Sequence, residues 1–462
     1  MLDRLKKAMD TAMADYVELR FQERKGLLIS VSGGEVDQAS SSSSRGVGVR
    51  VLYHGAWGFG STNSMDTEDI IETLRRAEVS ARVASENRAE SVKGISEDRV
   101  ATGLFSANIT GNLHNIGVET KIETALKAAK RAKTEGIKTT SSVYREILDH
   151  KIIVSSIGAE AEIYDSKPEF RVSAIAAEGG VMVSGSESRG VTGGWGELFS
   201  PSSPENMADM AARKAIRLSK AKVIRGGKSR VILDQGLVGL ISHEAIGHTA
   251  EADFVLSGSA AAGLIGKQVA SPLVTMVDSG VSAINGNAAG SIPVDDEGTL
   301  TREAVLIENG IMKGYMHNRE TAYLFGVEPT GNARAYEYDD EPIIRMRNTF
   351  ILPGDMTLEE MLEDVREGYL LKGAGSGQAD ANAEFMFDVQ EAYRITSGEI
   401  GELFRGASIS GNAFEVLKSV DAIGRDFRYD MGAGYCGKGQ PAKVDGGGGP
   451  IRTTVMIGGA HQ

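Results

Sequence analysis

With 462 residues, 41% of them hydrophobic and 24% charged, the chain is too long for one ordinary core and reads as two or three globular domains. A net charge of −13 argues against a general binder of nucleic acid or anionic membrane, since both need a basic footprint. There is no membrane-length apolar run, no uninterrupted apolar core of signal-peptide type, and only one cysteine, so a cytoplasmic protein without an intrachain disulfide is expected.

In chain order, residues 2–14 carry a helical amphipathic pattern, and DYVELRFQER then begins a strand. LLISVSG and the pair RGVGVRVLYHGAWGFGSTN follow as strands, with His54-Gly55 as a hairpin tip. A long helix over 65–86 starts behind Asp66 or Thr67 as its cap, and the polar stretch 90–116 is expected as a long loop. A second unit repeats this grammar: a helix over 117–136, alternating antiparallel strands over 139–191, and a closing helix over 204–222. The basic run Lys121–Lys133 alternates with alanines at helical spacing and is expected on a solvated face. Arg225-Gly226-Gly227-Lys228 reads as a domain linker.

From Ser229 the texture changes to short strands separated by glycines, with helices expected over 355–368 and 412–424 and a turn at Gly446–Gly449. The fold class expected is therefore α+β. A mixed α/β region over 1–225, with lobes at about 1–100 and 115–225, precedes a strand-rich domain over 229–462 wrapped around a metal-binding helix.

That helix carries His243-Glu244-Ala245-Ile246-Gly247-His248, two of the seven histidines and a carboxylate within six residues. Leu237, Leu240, Ile241 and Ala245 have helical spacing. Histidines five apart lie roughly 140° apart on an ideal α-helix, too far round to share an ion. Widening the turn to about 4.4 residues brings them together, as in the π-bulges found at functional sites. Gly247, without a Cβ, sits where such a distortion costs least. A distorted metal-binding helix is predicted; a regular α-helix over 243–248 would argue instead for a hydrogen-bonding Glu between two packed histidines.

A catalytic zinc usually takes three protein ligands. His243 and His248 supply two, and Cys436, flanked by glycines in GYCGKGQ, is the natural third. Glu251, Asp253 and His317 are competitors. Glu244 is placed beside the open position as general base, taking a proton from water whose pKa the metal lowers to about 7 and passing it to the leaving amine.

HEAIGHTAEADFV, SIPVDDEG, LIENGIMKGYMHNRETA, TGNARA, PIIRMRNTFILPGD, SISGNAFEVL and CGKGQP, in that order, resemble the TldD/PmbA family of metalloproteases. DYVELR and RGVGVRVLYHGAWGFGST extend the resemblance to the N-terminal region. The HExxxH spacing with a distant cysteine resembles the catalytic TldD side rather than the metal-free PmbA (TldE) side. The resemblance implies a cytoplasmic peptidase acting on unfolded or modified peptides, held strand-like in an enclosed cavity and paired with a TldE-like subunit. It also implies His243, His248 and Cys436 as metal ligands and Glu244 as the catalytic glutamate. Zinc suits mixed His/Cys ligation, with iron or another divalent transition metal as alternatives. A metal-dependent amidohydrolase of a small molecule and a non-catalytic binding subunit with a structural metal are the competing functions.

Overall fold

The computed structural model of the chain describes residues 1–87, 91–106, 113–281, 284 and 287–459. Helix α1 (Leu2–Met9) stops short of residue 14, because the amides of Met13 and Ala14 donate to Glu78 Oε1 instead of to helical carbonyls. Strands β1 (Tyr16–Ser32) and β2 (Glu35–Tyr53) form one long antiparallel pair. The serine run 40–44, which has no apolar alternation, lies inside β2, its backbone paired with residues 24–28 of β1. Strand β3 (Ala56–Thr62) returns through the expected tip, where His54 (φ 46°) and Gly55 (φ 78°) have the paired left-handed geometry of a tight hairpin turn.

Helix α2 (Thr67–Asn87) packs Ile70, Leu74, Ala77 and Ala81 against this hairpin. The approach is close enough that a Cβ on Gly58 would lie 2.1 Å from the Ala77 carbonyl oxygen. Within the stretch expected as a loop, β4 (Thr102–Ser106) forms a strand, while residues 90 and 107–112 lie outside the described residues. Helix α3 (Val118–Ala132) and strands β5 (Ile137–Ser155), β6 (Glu160–Glu178) and β7 (Val181–Gly190) follow, then α4 (Trp195–Phe199) and α5 (Pro204–Lys220). The strands join in one seven-stranded sheet of order β3-β2-β1-β5-β6-β4, with β7 also on β6, so both expected lobes contribute to a single sheet. Lys121 corrects the reading of its helix: it is buried, and its ammonium lies 2.8 Å from both oxygens of Glu146, while Lys127, Lys130, Arg131 and Lys133 are exposed.

One face of β1 (Val17, Leu19, Phe21) packs on the helices. The opposite face (Glu18, Arg20, Gln22, Arg24) is polar yet buried, because the C-terminal region covers it. Arg20 and Gln22 donate to the carbonyls of Glu337, Asp340 and Tyr336. Arg50 reaches Glu297 at 2.8 Å and Lys151 reaches Asp296 at 2.6 Å.

The expected linker is short. Strand β8 (Lys222–Val223) joins the C-terminal sheet, and β9 (Gly227–Leu233) begins within the glycine pair. Strand β9 pairs with Glu367–Ala379 and with Ile451–Gly458. The ladder continues through Ala407–Asn412 to Glu384–Thr396, which pairs back onto Glu367–Ala379 and closes the circuit. Inside the resulting core, Leu237, Ile241 and Ala245 share one apolar cluster with Phe385, Phe387 and Ile409. The C-terminal region is thus a strand-rich wrap around the motif helix. A second, six-stranded sheet includes Met276–Ser279, Asn348–Ile351 and Asp445–Gly448. The last of these corrects the turn expected at Gly446–Gly449. Its glycines form a buried strand, and a Cβ on Gly239 would lie 2.6 Å from the Gly446 carbonyl carbon, so only bare backbone lets helix and strand meet.

Candidate metal centre

The motif helix begins at α6 (Gln235–Leu240), whose N-cap Asp234 accepts from the Leu237 amide and, through its other oxygen, from Gly373. From Ile241 to Gly247 the helix is π-helical, and the His248 amide donates to the His243 carbonyl five residues back. The wide turn therefore falls on the histidine pair itself, as the spacing requires. Gly247 is needed for a packing reason as well: a Cβ there would lie 2.0 Å from Met346 Sδ.

The two imidazole rings face each other edge to face, with centroids 5.3 Å apart. Cys436 comes from a separate hairpin of two short strands, Tyr435–Lys438 and Gln440–Lys443, and its Sγ lies 3.2 Å from His248 Nε2. One ligand atom each from His243, His248 and Cys436 all lie within 4.8 Å of one another. His243 is 1% exposed, and among the described residues neither ring nitrogen makes a well-formed hydrogen bond, the Cys436 sulfur being its polar neighbour. An imidazole so placed is short of the contact that a metal ion would supply, and two nitrogens with a sulfur suit zinc, so the residues present fit such an ion.

Burial pulls the His248 imidazole down, but hydrogen bonds to Cys436 and Glu251 and their negative charges raise it to about 10. Burial raises the Cys436 thiol, whereas His243 and His248 outweigh that and lower it to about 4. The sulfur is therefore held as thiolate, the form that ligates metal.

Models of the PmbA/TldA metallopeptidase domains match the chain in three stretches: domain 1 over residues 17–81, the central domain over 111–219, and the C-terminal domain over 226–456. The chain belongs to the PmbA/TldD metallopeptidase family. It is accordingly a peptidase, a hydrolase of peptide bonds. A metalloprotease of Methanocaldococcus jannaschii is 36% identical over 99% of both chains. A zinc metalloprotease TldD homolog of Saccharolobus solfataricus is 31% identical, covering 99% of this chain and all of its own length. The solved structure of TldE from Thermococcus kodakarensis shares the fold, with a TM-score of 0.77 at 19% identity over 98% of this chain and 99% of that one.

In this PmbA/TldD member, Glu244 stands outside the three-donor cluster. Its half-buried carboxylate lies 3.8 Å from His248 Nε2 and lines a cleft of about 310 Å³ with Thr249, Phe254, Asp380 and Lys438. Glu251 is one step removed from the cluster: fully buried, it accepts from His248 Nδ1 at 3.3 Å and from Lys438 at 2.9 Å. Asp253 also holds Lys438, at 2.7 Å. His317 lies elsewhere, with Nδ1 3.1 Å from Thr321 Oγ1.

Two residues near the site escaped the sequence reading. Lys438, two positions after the cysteine, has its signal in the CGKGQ motif itself. Arg345 donates to the carbonyls of Cys436 and Gln440, both at 2.6 Å. Nothing local in the sequence links Arg345 to Cys436, ninety-one positions away.

Proposed function

We propose that this chain is a zinc-dependent peptidase of the TldD type, hydrolysing unfolded or modified peptides, with His243, His248 and Cys436 as ligands and Glu244 as general base. The observation that carries the reading is the buried imidazole of His243, without a well-formed hydrogen bond among the described residues, beside a thiolate and a second imidazole. When bound, the ion supplies Lewis acidity that polarises a carbonyl and acidifies water. The chain's own residues do the rest. Glu251 accepts from Nδ1 of His248 and so leaves Nε2, once it gives up its proton, as the nitrogen that would ligate. Glu244, on the cleft wall, takes the proton of the attacking water and returns it to the leaving amine.

Peptide is favoured over a small molecule by the strand beside the cleft. Glu367–Ala379 pairs with β9 only over Tyr369–Leu371, while its pairing with Glu384–Thr396 continues to Ala379. Past Gly373, whose amide is taken by Asp234, one edge of the glycine-rich stretch pairs with no strand among the described residues and is left for an extended peptide, whose backbone hydrogen bonds give affinity with little side-chain selectivity. Ala379, Asp380 and Ala381 carry that edge to the cleft. A TldE-like subunit completes the enclosure, a reading supported by the fold shared with the solved TldE. Cytoplasmic residence accords with the lone free cysteine and with the absence, among the described residues, of a helix long and apolar enough to cross a membrane.

Hydrolysis of an unfolded peptide mixture, with a TldE-like subunit present, tests the base assignment. Glu244→Gln is expected to lower kcat by roughly 10²–10⁴-fold. Undiminished turnover in that variant would remove Glu244 from the chemistry.

A further inference from the structure

The hairpin that carries Cys436 pairs only with itself among the described residues: Tyr435–Lys438 and Gln440–Lys443 form a separate two-stranded sheet. Beyond the covalent link through Val444 to the strand Asp445–Gly448, no backbone ladder among the described residues ties it to the helix that carries His248, and side chains add the remaining ties. Arg345 holds the hairpin's carbonyls from one side. On the other, Lys438 Nζ is 2.9 Å from Glu251 Oε2, 2.7 Å from Asp253 Oδ2 and 3.0 Å from the Ile344 carbonyl. Glu251 is fully buried, and the oxygen that meets Lys438 also accepts from His248 Nδ1.

We propose that Glu251 and Lys438 are positioning residues: their buried ion pair clasps the Cys436 hairpin to the His248 helix and sets the His248 ring with Nε2 toward Cys436. This rests on the ligand set proposed above. Lys438 lines the cleft and could be taken for a substrate anchor or an oxyanion donor. Its ammonium is committed instead, meeting two carboxylates and a carbonyl, with the Phe254 ring 4.1 Å away over the charge. One carboxylate thus fixes an imidazole directly and, through Lys438, the strand bearing the thiolate two residues away. Partners of this kind typically change metal affinity 10–100-fold when removed.

The test is the zinc dissociation constant, measured by competition with a chelator, alongside thermal melting of the metal-free chain. Lys438→Met and Glu251→Gln are each expected to weaken zinc about 10–100-fold. Lys438→Arg, which keeps charge and donors, is expected within about threefold of wild type, and the double variant no weaker than the worse single one. Wild-type zinc affinity in both Lys438→Met and Glu251→Gln overturns the clasp, and a raised KM alone would make Lys438 a substrate contact. Should Lys438→Met fail to fold, Glu251→Gln against Lys438→Arg decides the question. A wild-type chain that binds no zinc overturns the ligand set itself, an outcome distinct from failure of the clasp alone.

Discussion

His248 and His317 have opposite electrostatic surroundings. His248, between a carboxylate and a thiolate, is raised, whereas burial and the Arg302 charge lower His317 to about 4. His317 sits among Tyr315, Thr321 and Phe325, where no carboxylate of the described residues lies within ion-pair distance, so its neutral form is favoured. A folded-state pKa below the unfolded value of about 6.5 contributes stability that is present above 6.5 and lost as pH falls through 4. The size is about 3 kcal/mol. Urea unfolding at pH 7, 5 and 4 should therefore show wild type losing more stability than His317→Gln; parallel losses would mean that His317 is not held neutral. The two histidines and the cysteine that the fold brings within 4.8 Å stood out in the sequence, because a histidine pair and a lone cysteine among glycines are rare residue types in informative spacing. Glu251 was weighed only as a ligand, since its dependence on Lys438 is set by a contact 187 positions long.

At the scale of elements, the π-helical turn was readable because five-residue spacing has few ways to bring two side chains together. What keeps the turn in place was not readable: Met346 fills the space a Cβ on Gly247 would need. Gly247→Ala is expected to destabilise the chain by about 1–3 kcal/mol through overpacking. Equilibrium unfolding checks this, and a variant as stable as wild type would mean that Met346 moves aside freely. The glycine strand Asp445–Gly448 was read as a turn and the serine-rich part of β2 was assigned to no element, for a related reason. Neither carries the alternation that marks a half-buried strand, and both are strands because a neighbour supplies the ladder.

Across the whole molecule, the N-terminal sheet lies on the C-terminal region through buried charge beside a small apolar cluster, in which Ile153, Ala161 and Ile163 meet Val294 and Leu300. The alternation Glu18, Arg20, Gln22, Arg24 has the pattern of a solvent-facing edge, and only tertiary contact buries it. Glu297, 1% exposed, meets Arg50 and the Arg319 amide at 2.8 and 2.9 Å. Glu297→Ala leaves the buried Arg50 guanidinium with only the more distant Glu18, 3.6 Å away, and is expected to cost up to about 3–5 kcal/mol. Lys127→Ala, at an exposed pair with Glu123, should change stability by less than about 1 kcal/mol. Equal effects in denaturant unfolding would mean that the buried pairs do not hold the two regions together.

The most direct test of the metal centre is elemental analysis of purified wild type beside Cys436→Ala and Glu244→Gln. About one zinc per chain in wild type, lost with the cysteine and kept with the glutamine, is the expected result. Undiminished metal in Cys436→Ala would contradict the ligand set on which the chemistry rests.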